Sequence, residues 1–162
     1  MLTAVWLASA PAVYAATATA TATASVWAAL TITKSTDLSF GVVSVGTTGG
    51  TVVVDTAGAR TTTGDVVAEG GTVSAASFSL TGEPSKTYTV TLPTSASITY
   101  TDAAGTVYSM TVDTFTSSSA SGTYTLDASG NDTLYVGATL NVAGSQQKGD
   151  YSGTFDVTVE YQ

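Results

Sequence analysis

Polar and apolar residues alternate in strict register over the first part of the chain. From Ala16 through Ala18, Ala20, Ala22, Ala24, Val26, Ala28 and Leu30 to Ile32, small or apolar residues take every even position, and Thr or Ser takes most odd ones. Successive side chains of an extended strand point to opposite faces, so this pattern predicts a strand with one face covered. Thr and Val favour strands and Ala does not, so a partner must hold the segment extended. Residues 16–33 would span about 60 Å at about 3.3 Å each. A domain made from the rest of the chain would be only about 40 Å across. The segment therefore either bends into two strands or projects and pairs with something else.

Downstream, short alternating runs are separated by turn residues. Leu38, Phe40 and Val42 alternate before a Gly/Thr turn at 45–50, and Val52-Val53-Val54 is a compact apolar run followed by a loop over 57–65. Phe78 with Leu80 and then Tyr88, Val90 and Leu92 mark two further strands, the second stopped by Pro93. Ile98 and Tyr100 pair across Asp102-Ala103-Ala104-Gly105 with Tyr108, Met110 and Val112 as a predicted hairpin. Residues 117–122 form a small loop before Tyr124 and Leu126. Leu134, Val136, Ala138, Leu140 and Val142 share one strand face. In the final run, Tyr151, Gly153, Phe155, Val157, Val159 and Tyr161 face inward, with Asp156 and Glu160 outward.

Strands at this spacing, with no 3.6-residue period anywhere after residue 15, predict an all-β, immunoglobulin-like two-sheet β-sandwich with an extended N-terminal strand. The expected organisation is a signal peptide over 1–15, the extended strand over 16–33 and the sandwich over 34–162. Leu2 to Ala10 form a short apolar run broken by Pro11, and Val13 and Ala15 stand at −3 and −1 of a cleavage site that would expose Ala16. No uninterrupted apolar run reaches the roughly 18 residues of a membrane-spanning helix.

Composition narrows the chemistry. Charged residues make up 10% of the 162-residue chain and the formal net charge is −8. Acidity of that degree disfavours nucleic acid and anionic membrane surfaces as partners. With no Cys and no His, disulfides, Cys or His metal ligation and the commonest general base are excluded.

The remaining motifs read as structure. Ser145-Gln146-Gln147-Lys148 fits S-x-x-K, but that chemistry needs a helical turn, and here the motif lies in a Gly-bounded loop between strands. Asp127-Ala128-Ser129-Gly130-Asn131-Asp132 places oxygens at alternate positions, without the carboxylates and terminal Glu of a Ca²⁺ loop, and reads as a hairpin turn. Asp156 and Glu160 would be about 13 Å apart along a strand, too far for a glycosidase pair. Gly46 to Gly50 lacks the Lys-Ser/Thr of a phosphate cradle. The tyrosines at 88, 100, 108, 124, 135 and 151 are spread over several strands and read mainly as core. No catalytic residue, cofactor site or metal site is expected, and the chain does not read as an enzyme.

Several stretches carry a resemblance: ATATATATA, LTITKSTDLSFGVV, GARTTTGDV, FSLTGEPSKTYTVTLP and the close TLYVGATLNVAGSQQKGDYSGTFDVTVEYQ. Together, over residues 16–162, they resemble a widespread family of secreted bacterial domains of unknown function. More distantly they are similar to the major fimbrial subunits of the Mat/Ecp common-pilus type. The resemblance implies a sandwich exported to the bacterial cell surface or beyond. It also implies a pilus-like homopolymer in which one subunit's N-terminal extension fills a groove in the next, with a periplasmic chaperone and outer-membrane usher as possible helpers. The positions matching the donor strand are Ala18, Ala20, Ala22, Ala24 and Val26, which offer mostly methyl groups where fimbrial donors offer bulkier side chains. Strand addition of this kind draws affinity from main-chain hydrogen bonds and register from alternate side chains. The rival expectation is a monomeric secreted or surface-attached binding domain whose N-terminal strand folds back on its own sandwich.

Overall fold

The computed structural model describes residues 14–119 and 122–162. The expected signal peptide lies almost wholly, and the expected 117–122 loop partly, outside the described residues.

Ten strands and no helix make up the described residues: β1 (Thr31–Thr36), β2 (Ser39–Val54), β3 (Arg60–Ser74), β4 (Ala76–Thr81), β5 (Thr87–Thr91), β6 (Ser95–Thr101), β7 (Val107–Ser117), β8 (Thr123–Thr125), β9 (Asn131–Ala143) and β10 (Thr158–Tyr161). They form two antiparallel sheets. The larger is built on β9. One half of β9 pairs with β4, which carries β1 on its far side, and the other half pairs with β2, which carries β3. Strand β7 pairs with β9 and with β6. The smaller sheet has the order β10-β5-β8.

β9 is central because its inward residues are all apolar and both its edges are paired. Leu134, Val136, Ala138, Leu140 and Val142 are all buried, as the alternation predicts. They divide between two clusters. Leu134 and Val136 join Ala76, Leu80, Tyr88, Tyr124 and Leu126, while Ala138, Leu140 and Val142 join Val52, Val66 and Val112.

Two segments differ from the sequence expectation. The Gly/Thr stretch at 45–50 is no turn: β2 runs through it as one long strand, with a register shift against β3 between Val45 and Gly50. A bulge absorbs the glycines without ending the pairing. The expected loop over 57–65 is mostly strand as well. Only Asp55 to Ala59 turns, and β3 starts at Arg60. The Arg60 guanidinium Nη1 donates to the carbonyls of Phe40, Val42 and Gly70 at 2.9, 3.1 and 3.0 Å, tying together the irregular part of the hairpin.

Three tight turns share one construction. In Asp55-Thr56-Ala57-Gly58, Asp102-Ala103-Ala104-Gly105 and Asp127-Ala128-Ser129-Gly130, the Asp Oδ1 accepts two backbone N–H bonds, from two and four residues ahead, at 2.8–2.9 Å. The Gly N–H closes each turn onto the Asp carbonyl. The glycines have φ of 81°, 85° and 82°, a left-handed conformation that other residues adopt only with strain.

The last run keeps its predicted parity from Phe155 onward but not its predicted length or depth, and Gly153, expected inward, is exposed. Phe155, Val157, Val159 and Tyr161 point at the first cluster, and Asp156 and Glu160 are exposed. Yet only Thr158–Tyr161 is strand, and the four inward side chains are half-buried at the rim of the core.

Candidate functional site: the N-terminal extension and its clasp

The alternating segment divides at Trp27. Residues 14–30 lie in no strand, residues 14–29 are exposed, and Val26 is 93% exposed. Ala18, Ala20, Ala22, Ala24 and Val26 are therefore exposed along with the Thr and Ser between them. Ile32, only a few residues later, is half-buried in β1 against the first cluster. The sandwich thus takes up the chain at Leu30–Thr31, and the stretch before Trp27 stands clear of it.

The boundary between the two is held by side chains from three places in the sequence. The Trp27 ring meets Tyr161 edge-to-face at 5.7 Å, and the Lys86 ammonium sits 4.1 Å from the Trp27 ring centroid. Both contacts suit the ring's charge distribution, since its face is negative and its edge positive. The backbone is fixed on both sides of Ala28: its N–H donates to Glu83 Oε2 at 3.0 Å, and its carbonyl accepts from the Tyr161 hydroxyl at 2.9 Å. That hydroxyl also accepts the Glu83 N–H. Gly82 leaves the room: a Cβ there would run into Tyr161 Oη and the Leu126 and Leu30 side chains. The clasp joins the loop after β4 and the end of β10 to the chain just ahead of β1. Sequence reasoning had no local signal for it, because its members are brought together only by the packing of the two sheets.

The other residues considered for chemistry are placed apart. Ser145 has φ 57° in a turn and donates its N–H to the Gly46 carbonyl, so Ser145 and Lys148 share no helical turn. Asp127 spends Oδ1 on the turn described above. Among the described residues no group of three or more Asp or Glu is placed to hold a metal ion. Asp156 and Glu160 are exposed on the outer side of the last run. The tyrosines split: Tyr88 and Tyr124 stack in the core at 5.2 Å, whereas Tyr100, Tyr108 and Tyr151 form a half-buried group at the β6–β7 hairpin and Tyr135 is 44% exposed. The Tyr88 hydroxyl donates to Asp132 Oδ2 at 2.8 Å. Burial first, and then that hydrogen bond and carboxylate charge, push its pKa well above the usual tyrosine range. Two shallow depressions open on the surface, one beside Ser109, Thr111, Asn141 and Gln146 and one beside Thr56, Ser74, Ser77 and Tyr135; neither is lined by a carboxylate or a cation.

A two-sheet, all-β sandwich that carries a clasped and otherwise exposed N-terminal extension is the class of protein these features define. The chain belongs to the family described as a domain of unknown function (DUF4402), which matches residues 30–161. The match takes in every strand and begins just after the clasped Trp27-Ala28 pair. No curated protein and no solved structure matches the chain.

Proposed function

We propose that this protein is a structural, pilin-like subunit of a bacterial cell-surface filament, which polymerises by giving residues 16–26 to another copy of itself. One observation carries the reading. A neutral segment with strand alternation leaves the sandwich at a fixed point and finds no strand of its own chain to pair with among the described residues. Extended Ala/Thr backbone has little reason to stay ordered alone, because its N–H and C=O groups gain most from a ladder partner. A partner that is a second copy receives one extension and offers its own, and a head-to-tail contact of that kind builds an open filament. The fold-back alternative would need residues 16–26 laid against their own sandwich, and their exposure favours exchange over it. The reading carries with it export to the cell surface, a scaffold role without catalysis, and possible assistance by a periplasmic chaperone and an outer-membrane usher.

Deleting residues 16–26 tests the reading. Filaments visible by negative-stain microscopy for the full chain are expected to be lost in the deletion variant. A full-length chain that stays monomeric at high concentration, with residues 16–26 protected from proteolysis, would overturn it.

A further inference from the structure

The filament reading leaves open where on the sandwich an incoming strand would dock, and the sheet edges differ in their fitness to receive one. An exposed edge invites pairing unless something blocks it. Strand β3 is kinked by Gly64, Gly70 and Gly71, with φ of 68°, 116° and 74°. Strand β6 is engaged at Thr99, which exchanges two backbone hydrogen bonds with Ser152. Strand β1 has the exposed Lys34 two residues after Ile32, salt-bridged to Asp37 at 2.6 Å. Strand β8 has only the three residues Thr123–Thr125.

β10 is short too, at four residues, and carries the exposed Glu160, but its backbone edge is neither bulged by positive-φ glycines nor bridged by another segment. It ends the smaller sheet and, among the described residues, pairs with β5 alone. The Gln162 N–H donates to the Thr87 carbonyl at 3.1 Å. Antiparallel pairs alternate between bonded and non-bonded, so Glu160 and Thr158 also bond across to β5. The backbone groups of Val159 and Tyr161 then face the open side. Upstream, Gly153–Val157 lies in no strand. The side chains along this edge are the half-buried ones at the rim of the first cluster, where Phe155 packs on Phe115 with ring centroids 4.9 Å apart. The cluster is incompletely covered along the same line on which the ladder is unfilled.

We propose that this edge, from Gly153 to Tyr161, is the acceptor for residues 16–26 of a second copy; the assignment rests on the filament reading and names its docking surface. The lengths agree, since the edge would span about 30 Å and the segment about 36 Å at about 3.3 Å per residue. Charge agrees as well. Residues 16–26 carry none, so they can lie beside the exposed Asp156 and Glu160 without adding repulsion in a chain of net charge −8.

Because the chain has no cysteine, paired substitutions in the full-length protein give a clean test. Thr21→Cys is combined with Asp156→Cys or Thr158→Cys on the proposed edge, and with Thr61→Cys on β3 as the contrasting pair. After oxidation, non-reducing gels should show a reductant-sensitive ladder of multimers for a β10-edge pair and none for the β3 pair. Filaments that persist while the ladder comes from the β3 pair, or from no pair, would overturn the acceptor assignment and leave the filament reading standing. A disulfide closed within a single monomer, or the absence of any filament or multimer, would overturn both.

Discussion

The Tyr161 hydroxyl donates to the Ala28 carbonyl across 133 positions of sequence. That bond joins the last strand to the residue at which the chain leaves the sandwich, so the exit of the extension is set by the same side chain that ends β10. The direction in which residues 14–26 depart is thereby tied to the packing of the two sheets.

Loosening this bond should free the exit without unfolding the domain. Tyr161→Phe keeps the ring against Trp27 and removes a hydroxyl that serves both Glu83 and Ala28. The expected cost is about 1 kcal/mol, the usual net worth of a hydrogen bond. Amide exchange at Ala28 should quicken while exchange within β9 stays slow, as measured by NMR. Equal acceleration in both places would show that the clasp and the core open together.

The depth of the rim can be read from two truncations. Leu134→Ala, at a fully buried position, should cost about 2–5 kcal/mol. Phe155→Ala should cost the isolated subunit less than the 3–5 kcal/mol typical of buried aromatics, because Phe155 is only half-buried. Denaturant titration of both variants makes the comparison, and a Phe155→Ala cost equal to or above that of Leu134→Ala would mean that the rim is already closed within one chain.

The three Asp/Gly turns differ in what surrounds their glycines. A Cβ at Gly105 meets nothing within 4 Å, whereas one at Gly130 runs into the Gly82 carbonyl. Gly105→Ala should therefore cost about 1 kcal/mol, from the left-handed backbone alone. Gly130→Ala should cost clearly more, because it also breaks the Gly82 N–H bond to the Gly130 carbonyl, which is 2.8 Å long. Thermal melts of the two variants would separate these effects.

Tyr88 should make the fold sensitive to alkali. Its pKa in the folded chain is raised, first by burial and then by Asp132, while a tyrosine in the unfolded chain ionises near pH 10. The unfolded state then loses the proton first. The contribution is complete below pH about 10 and declines as pH rises above it. Tyr88→Phe should lower stability at neutral pH by about 1–3 kcal/mol, through the lost bond to Asp132, and should flatten the decline above pH 10. Denaturant midpoints measured between pH 8 and pH 11 would show it.

Much of the fold was legible in the sequence because period-two alternation survives wherever one face meets the core. In β9, Leu134 to Val142 gave both the strand and its buried face, and Asp102 to Gly105 gave the β6–β7 hairpin. β3 was hidden because Thr61, Thr62, Thr63 and Gly64 read as loop, while its pairing is dictated by β2 and by Arg60 rather than by its own preference. β2 was divided in two because glycines that mark turns elsewhere here mark a bulge. At the candidate interface, the odd–even pattern of residues 16–26 was plain. The clasp of Trp27, Glu83, Lys86 and Tyr161 was not, since no spacing rule links residues that only tertiary packing brings together.

The pairing of β10 with β5 also has a consequence for the order of folding. Thr89 and Glu160 are 71 positions apart, whereas the hairpins of β2 with β3 and β6 with β7 close over turns of a few residues, an event of about microseconds. As the chain leaves the ribosome from its N-terminus, the larger sheet can begin to assemble while the smaller one still lacks an outer strand. Tyr88 and Leu126 would meanwhile have only part of their cover, and the vulnerable interval lasts until the final strand arrives. A protein built this way has its greatest need for a holding factor late in its emergence, not early.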